Sequence, residues 1–548
     1  MWDQEIWLPV QMPVVASRLV LKVYDHDKIG SDEICGSMVL DIKKIIDNLN
    51  GKTLWKNLFG SPMDCSGEHT ALMNENPEMA SNWKGRIMIG FVAEKVEKPE
   101  MKIQKIPAEP VKESAQFADE REFEVIAEVG QGVSLPETEN YKVKIRIADF
   151  EMETPKPVEK KENYCRWSHR FDRAVYKAPY TDVKSIQRAY VYLMDGDKAV
   201  CFHRLKVSDF TNPNPELEWL PMTNDLAVGK VSHDWKAGMV SIKLSINDVT
   251  KNGPVDFKKY DCWKKPPPKR MSSWKVRAFL FQCRDLPAAD SNGSADPYIT
   301  VWSPEKEKQK TTVVEDNLNP MFFETLDVYL DFVTPEEAPP VFLNVFDKDF
   351  GLSALDGDDY MGRSVVHLKE AGYATDDTIP TPKWYKVIMG FSEHEPSIGE
   401  ILCSFAVVPD DFSFKTPAKY LDLSEQVKFD DFDININVLG LRDLASFGLL
   451  PVKKAFVRFN VRSLLPAKFA KAQKNISTQP GPTGPNPTLS TIIKFNLKLP
   501  CDPLYCPKLA CDVFDQIFKG FAQPLLGTFS IPIGEIMEKQ KKEKEFYL

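Results

Sequence analysis

Aspartates dominate the stretch from Ala289 to Gly362. It opens with Ala-Asp-Ser-Asn-Gly-Ser-Ala-Asp-Pro-Tyr (Ala289–Tyr298), continues through Val-Phe-Asp-Lys-Asp-Phe (Val345–Phe350) and closes with Asp-Gly-Asp-Asp-Tyr-Met-Gly (Asp356–Gly362). Asp290 and Asp296 share one loop. Asp347 and Asp349 open a second, which also holds Asp356, Asp358 and Asp359. Each loop follows a run that reads as a strand. Ca²⁺ takes six to eight oxygens, several of them carboxylate, from flexible loops. Without a cation such acids repel one another: two carboxylates about 4 Å apart cost roughly 4 kcal/mol at an effective dielectric of about 20. So dense an acidic pair of loops is either spread into solvent or built for a cation.

The elements that position these loops are strands. Trp274–Phe281, Pro297–Trp302 and Val341–Phe346 read as extended runs. The whole pattern resembles a C2 domain, a β-sandwich that binds Ca²⁺ at its loop tips and docks on phospholipid. The resemblance covers about 272–410. It is carried by the S-x-x-D-P-Y turn, the D-x-D pair after an apolar strand, and the acid before Tyr360-Met361-Gly362. It implies that Asp290 and Asp296 are first-loop ligands, that Asp347 and Asp349 are the D-x-D ligands, and that Asp359 is the last. The loop from Asp349 to Asp359 is longer than usual, which leaves Asp356 or Asp358 open as replacements for Asp359.

Two further features bear on a membrane. Lys306, Lys308 and Lys310 alternate, so period-2 spacing puts them on one strand face. Such a face holds phosphoinositide headgroups in C2 relatives. The other reading is a solvated face, with Glu305 and Glu307 between the lysines. Phe350 and Leu352 are apolar residues in a polar loop, able to wedge among lipid headgroups or to pack back on their own loop.

The chain has 548 residues and a net charge of −9, which suits three or four domains and disfavours nucleic acid as a partner. Forty-one prolines and 11% aromatic residues fit a string of β-modules. The ten cysteines show no disulfide framework, which suggests a reducing compartment, and Cys501, Cys506 and Cys511 read as structural thiols. No apolar run of about eighteen residues or more is present. No Gly-rich phosphate loop, Ser-His-Asp set or kinase signature accompanies the aspartates, so an enzyme is not expected. The enzymatic rival is a D-x-D site holding Mg²⁺ or Mn²⁺ for nucleotide-sugar transfer.

In chain order, residues 1–95 read as the later half of a second C2-like module. Leu19, Leu21 and Val23 alternate with polar positions and lead into Asp25-His26-Asp27, with Asp32 and Glu33 shortly after. Asp25, Asp27 and Asp32 or Glu33 make half a cation site, too little for tight binding. Asp25 lies far closer to Met1 than Asp347 does to Trp274, so the chain is expected to be a piece of a longer protein or a sequence begun late. Residues 96–120 read as a charged, Pro-containing linker. Residues 121–250 carry strand-like runs at Phe123–Val129, Tyr141–Ile147, Ala189–Met194 and Met239–Ile246. There Asp195-Gly196-Asp197 reads as a tight turn. Residues 251–271, ending in Lys264-Lys265-Pro266-Pro267-Pro268-Lys269-Arg270, read as a stiff basic connector able to touch anionic lipid or simply to be solvated. Residues 430–548 read as a degenerate sandwich. Phe432, Ile434, Ile436 and Val438 alternate with polar residues, and Lys453-Lys454 falls where the D-P-Y acid would. Asp515 is kept but Ile517 fills the second D-x-D position. The Glu538–Glu545 charge run reads as a solvated tail.

The order of units is similar to that of ferlins, large multi-C2 proteins of Ca²⁺-dependent vesicle fusion and membrane repair. Trp2–Pro9 with Gly30–Glu33 resembles the later half of the third C2 domain, and Leu58–Pro62 with Trp83–Ile87 its closing segment. Tyr192–Val200 resembles the ferlin B region. Leu441–Leu444 with Leu504–Pro507 resembles the sandwich after the fourth C2 domain. The resemblance implies an all-β fold of tandem C2-type sandwiches and Ca²⁺ as cofactor. It implies anionic phospholipid membranes and fusion-machinery proteins as partners, on the cytoplasmic side of vesicle or plasma membranes. The other C2 domains and the membrane anchor typical of ferlins lie outside this sequence. A Ca²⁺-independent scaffold is the rival function, since most units lack a complete acid set.

Overall fold

The computed structural model describes the chain except residues 1–3, 13–16, 27–31, 62–67, 81, 106–120, 179–182, 184–185, 187–188, 225–237, 269, 291–292, 305–308, 350–357, 391–395, 420, 422–426, 447–450, 471–472, 518–519 and 547–548, and the side chains of 68–69, 79, 467–468 and 541–546. Asp27, Lys306, Lys308, Phe350, Leu352 and Asp356 lie outside the described residues. The fold is all-β, built from antiparallel sheets. It divides into two compact units, Met1–Pro267 and Pro268–Leu548.

In the first unit, Arg18–Asp25, Glu33–Asp41, Lys52–Gly60 and Asn82–Phe91 form one four-stranded sheet in that order. Met38, Leu40, Leu58 and Phe91 centre its apolar face, with Leu19, Leu21 and Val23 half-buried beside them. The stretch expected as a linker contains a strand. Lys102–Lys105 pairs antiparallel with Gln4–Trp7, Ile103 opposite Ile6. Only one isoleucine faces another there, too little alternation to read in advance.

Two larger sheets follow. Arg121–Val133 is central to one, flanked by Tyr164–Arg170 and Met239–Asp248, while Ala189–Asp195 lies between Lys198–Arg204 and Tyr141–Ile147 in the other. Tyr141, Phe123, Trp167 and Phe202 are fully buried. Asp195-Gly196-Asp197 is a hairpin turn in which Gly196 adopts φ +60° and the Asp195 carboxylate accepts a hydrogen bond from the Asn140 N–H at 3.0 Å. Arg204, on the hairpin's outgoing strand, reaches the first sheet. Its guanidinium donates to the carbonyls of Pro77 and Ala80 and lies 3.4 Å from the centroid of the Phe59 ring.

The segment expected as a connector is anchored by two buried residues, Val255 and Trp263, while Lys264, Lys265, Pro266 and Arg270 are exposed. Short helices at Val249–Asn252 and Asp261–Lys264 fold it back, and Trp263 is only 3% exposed. Trp263 clusters with Ile126 and Val255, and its indole N–H donates to the Pro213 carbonyl at 2.8 Å. Arg170 sits over its ring and donates to its carbonyl. The prolines begin where this packing ends.

In the second unit, one sheet runs Met321–Phe332, Ser272–Arg284, Glu400–Pro409, Lys383–Lys386, and the facing sheet runs Pro297–Val301, Val341–Asp347, Asp359–Val366. Val276, Leu280, Phe342, Val345, Phe405 and Val407 are buried core residues. Phe429–Gly440 pairs with Thr488–Pro500, and a sheet of Ile476–Ser477, Ala455–Asn460, Lys508–Asp515 and Leu525–Pro532 belongs to the same module. Within Phe429–Gly440, the alternation from residue 432 to 438 matches half-buried and exposed positions residue for residue. The tail is a helix, Ile533–Phe546: Ile533 and Met537 lie one turn apart and pack on the Leu509–Val513 core, and at the start of the charge run Glu538, Lys539 and Gln540 are exposed.

Replacing Trp263 with Ala is expected to destabilise the first unit by about 3–5 kcal/mol. Calorimetric unfolding of the whole chain would show one transition moved down; a solvated connector residue would leave every transition in place.

Candidate functional site

Asp347 ends the Val341–Asp347 strand and is 2% exposed. Its carboxylate accepts a hydrogen bond from the Asp296 N–H at 2.5 Å, while the Lys348 N–H donates to the Asp296 carbonyl at 3.0 Å. These bonds lace the first acidic loop to the start of the second. Asp290 sits in a tight turn whose ends are closed by Gly293 N–H to the Asp290 carbonyl (3.0 Å) and Asp290 N–H to the Ser294 carbonyl (3.1 Å). Gly293 takes φ +79° there, a conformation other residues reach only at a cost.

Burial pushes the Asp347 carboxyl up to about 6; the Asp296 N–H opposes this, and the charges of Asp290, Asp296 and Asp349 add to it. Asp290 is raised by burial and then by Asp316, Asp349 and Asp359. Asp296 is raised by burial, against the hydrogen bond from the Asp316 N–H, and further by the charges of Asp316, Asp290 and Glu315. Asp290, Asp296 and Asp347 thus feel one another's charge or that of shared neighbours, Asp349 acts on Asp290 and Asp347, and Asp359 acts on Asp290. Asp359 opens the Asp359–Val366 strand directly opposite Asp347, with its side chain exposed.

Asp316 was not singled out in the sequence. It adopts φ +52° in a loop between strands, and its N–H donates to Asp296 Oδ1 at 2.7 Å. No motif flags Glu315-Asp316-Asn317; only the closure of that loop onto Ala295, through the Asn317 N–H, brings the acid near.

Asp358, the alternative to Asp359, is engaged by two donors. The Lys348 ammonium and the Tyr298 hydroxyl both donate to it, at 2.6 Å each. Burial works against its charge, but these hydrogen bonds hold the carboxyl below the usual range. Lys310 is exposed, with its ammonium 5.0 Å from the centroid of the Tyr298 ring. In the first unit, Asp25 is exposed and pairs across the strands with Glu33, while Asp32 is hydrogen-bonded to His26 Nδ1 at 3.0 Å. In the last module, Asp515 is buried and accepts from the N–H groups of Lys453 and Lys454.

Among the described residues, no three or more His, Cys, Asp or Glu side chains are grouped so that they could hold a metal ion. The donor set at Asp347 is all carboxylate oxygen, held on loops, with ionisation resisted first by burial and then by neighbouring acids. That chemistry fits a hard divalent cation and not a soft one.

A β-sandwich carrying paired acidic loops is the class of module that this geometry defines. The C2 domain model matches residues 1–58 and 274–387. The chain is a multi-C2 protein, ferlin-like at low identity. It is 30% identical over 128 residues to mouse multiple C2 and transmembrane domain-containing protein 1, a match covering 23% of this chain and 12% of that protein. It is 24% identical over 145 residues to human myoferlin, covering 25% of this chain and 7% of myoferlin. The chain thus matches only a small part of the length of these relatives. Among solved structures, the two tandem C2 domains of extended-synaptotagmin 2 align over 49% of this chain and 82% of theirs, with 15% identity and a TM-score of 0.19. Among the described residues, no helix is long and apolar enough to cross a membrane.

With a folded value of about 6 against an ordinary 3.8, Asp347 binds its proton more tightly folded than unfolded. Between those values the folded state carries more protons, so stability without divalent cations falls as pH rises through them. Asp347→Asn keeps an acceptor for the Asp296 N–H and removes the charge. It should raise the cation-free stability at neutral pH by roughly 1 kcal/mol and flatten that fall. Urea unfolding in chelator across the acid range would check this; an unchanged slope would contradict it.

Proposed function

We propose that this chain is a Ca²⁺-responsive peripheral membrane protein whose 272–410 module binds anionic phospholipid, in the manner of the ferlins. What supports this reading is the tie between the two acidic loops through Asp296 and Asp347, together with the burial and neighbouring acid charges that raise Asp290, Asp296 and Asp347. Asp290, Asp296, Asp347, Asp349 and Asp359 are the proposed ligands, and Asp316 joins them. Bound Ca²⁺ supplies compensating charge and open coordination for lipid phosphate. Lys306, Lys308 and Lys310 add attraction that salt weakens, and Phe350 and Leu352 supply apolar contact with the interface. Vesicle trafficking, fusion or repair on the cytoplasmic side of a membrane, together with fusion-machinery partners, is the cellular role proposed from the ferlin likeness. No catalysis is proposed.

The scaffold reading draws on Asp515. Its oxygens are used by backbone amides of Lys453 and Lys454, so the last module is proposed to serve contacts rather than a cation. The half-set at Asp25, Asp27, Asp32 and Glu33 is proposed to be too sparse for tight binding.

Calorimetric titration of the whole chain with Ca²⁺, with and without liposomes containing anionic lipid, separates the two. Binding in about the micromolar range, tighter with liposomes and lost in Asp347→Asn/Asp349→Asn, is the expected result. Absence of heat and of liposome association even at millimolar Ca²⁺ would leave the scaffold reading in its place.

A further inference from the structure

Contacts from the last module reach the end of the Ser272–Arg284 strand and the loops that carry Asp290 and Asp316. Lys508 donates to both carboxylate oxygens of Asp285, at 2.7 Å each. Gln282 donates to the Leu504 carbonyl at 3.2 Å, and Tyr505 packs on Phe281 with ring centroids 5.4 Å apart. Leu525 lies so close over Gly293 that a Cβ there would collide with it. Asn460, at the end of the Ala455–Asn460 strand, donates through Nδ2 to the Asp316 carbonyl at 3.1 Å.

That last bond stands out energetically. Asn460 is 5% exposed, and among the described residues its Oδ1 has no hydrogen-bond partner. A buried acceptor left unmade is costly, so an apolar residue of the same size would suit packing alone better. What Asn460 provides is the donor. Its target needs holding, because Asp316 is a non-glycine residue in the left-handed region. Asp296 grips residue 316 by its N–H, and Asn460 grips it by its carbonyl. Asp512, half-buried in the last module beside Arg458, also lies in the field of Asp316.

We propose that Asn460 is a positioning residue for the cation site of the preceding module: by fixing the turn at Asp316 it holds that carboxylate at the site, so cation affinity depends on the sandwich that follows. The proposal rests on the Ca²⁺ reading above. Asn460 touches no cation and acts only through Asp316. Leu525 plays the same part for the Asp290 turn by packing on Gly293.

The test uses the whole chain with Asn460→Leu and, separately, Leu525→Ala, which alters a half-exposed side chain. Two readouts are taken: Ca²⁺ affinity by calorimetry, and amide hydrogen exchange without Ca²⁺ over 313–319 and 289–295. Asn460→Leu should speed exchange over 313–319 and weaken Ca²⁺ binding at least about fivefold, with the melting temperature unchanged. Leu525→Ala should do the same over 289–295. Unchanged exchange and affinity in both variants overturns the clamp, as does faster exchange with unchanged affinity. Should Asn460→Leu fail to fold, Leu525→Ala decides by the same criteria. If the unaltered chain binds no Ca²⁺, the cation reading falls and the proposal with it; exchange then still tells whether the turn was held, so the two failures are distinct.

Discussion

The bond between the Asp347 carboxylate and the Asp296 N–H is the constraint on which the site's other features depend. It fixes one acidic loop against the strand that launches the other. A hydrogen bond to a charged acceptor is stronger than a neutral one, and a buried carboxylate needs it. Yet one N–H does not neutralise a negative charge, and the neighbouring aspartates add more. The loops are therefore held together by geometry and pushed apart by charge. Large apolar cores in both sheets of the module, with Phe342, Val345 and Phe405 fully buried, supply the stability against which that repulsion is tolerated.

Asp515 shows what remains when the repulsion is taken away. It occupies the equivalent strand end in the last module and accepts from the N–H groups of Lys453 and Lys454. The tie between loops survives there although Ile517 follows in place of a second acid and lysines stand in the opposing loop. The first aspartate of a D-x-D pair thus has two separable duties, one architectural and one electrostatic. Its presence alone does not announce a cation.

Much of the strand framework was legible because period-2 alternation is a direct consequence of a pleated, half-buried surface. Alternation alone assigns Phe432, Ile434, Ile436 and Val438 to one face, and composition assigns Asp-Gly at 195–196 to a turn. The acids of the two loops were legible by type and spacing. What stayed hidden depends on contacts distant in sequence. Asp316 reaches the site because its loop closes on Ala295 and Asp296 and is held from behind by Asn460. Asp358 looks like any other loop acid until Lys348 and Tyr298 claim it. Trp263 sits beside a run of lysines and prolines whose composition argues for a linker, and its partners Ile126 and Arg170 lie far away in the chain. The tail helix was obscured by its charges, because among its described residues Ile533 and Met537 engage the core while Glu538, Lys539 and Gln540 face solvent.

The outer face of the Ser272–Arg284 sheet bears on where a module ends. Phe279, Phe281, Leu402 and Ala406 lie on it and are covered by Leu421, Val427 and Tyr505, all of them outside residues 272–410. A boundary drawn at the last strand would strip those covers and leave an oily sheet surface facing water, of the kind that makes excised fragments self-associate. The natural piece to handle in solution is accordingly the pair of sandwiches, and the smaller piece that sequence similarity outlines is one whose stickiness would be mistaken for affinity toward lipid.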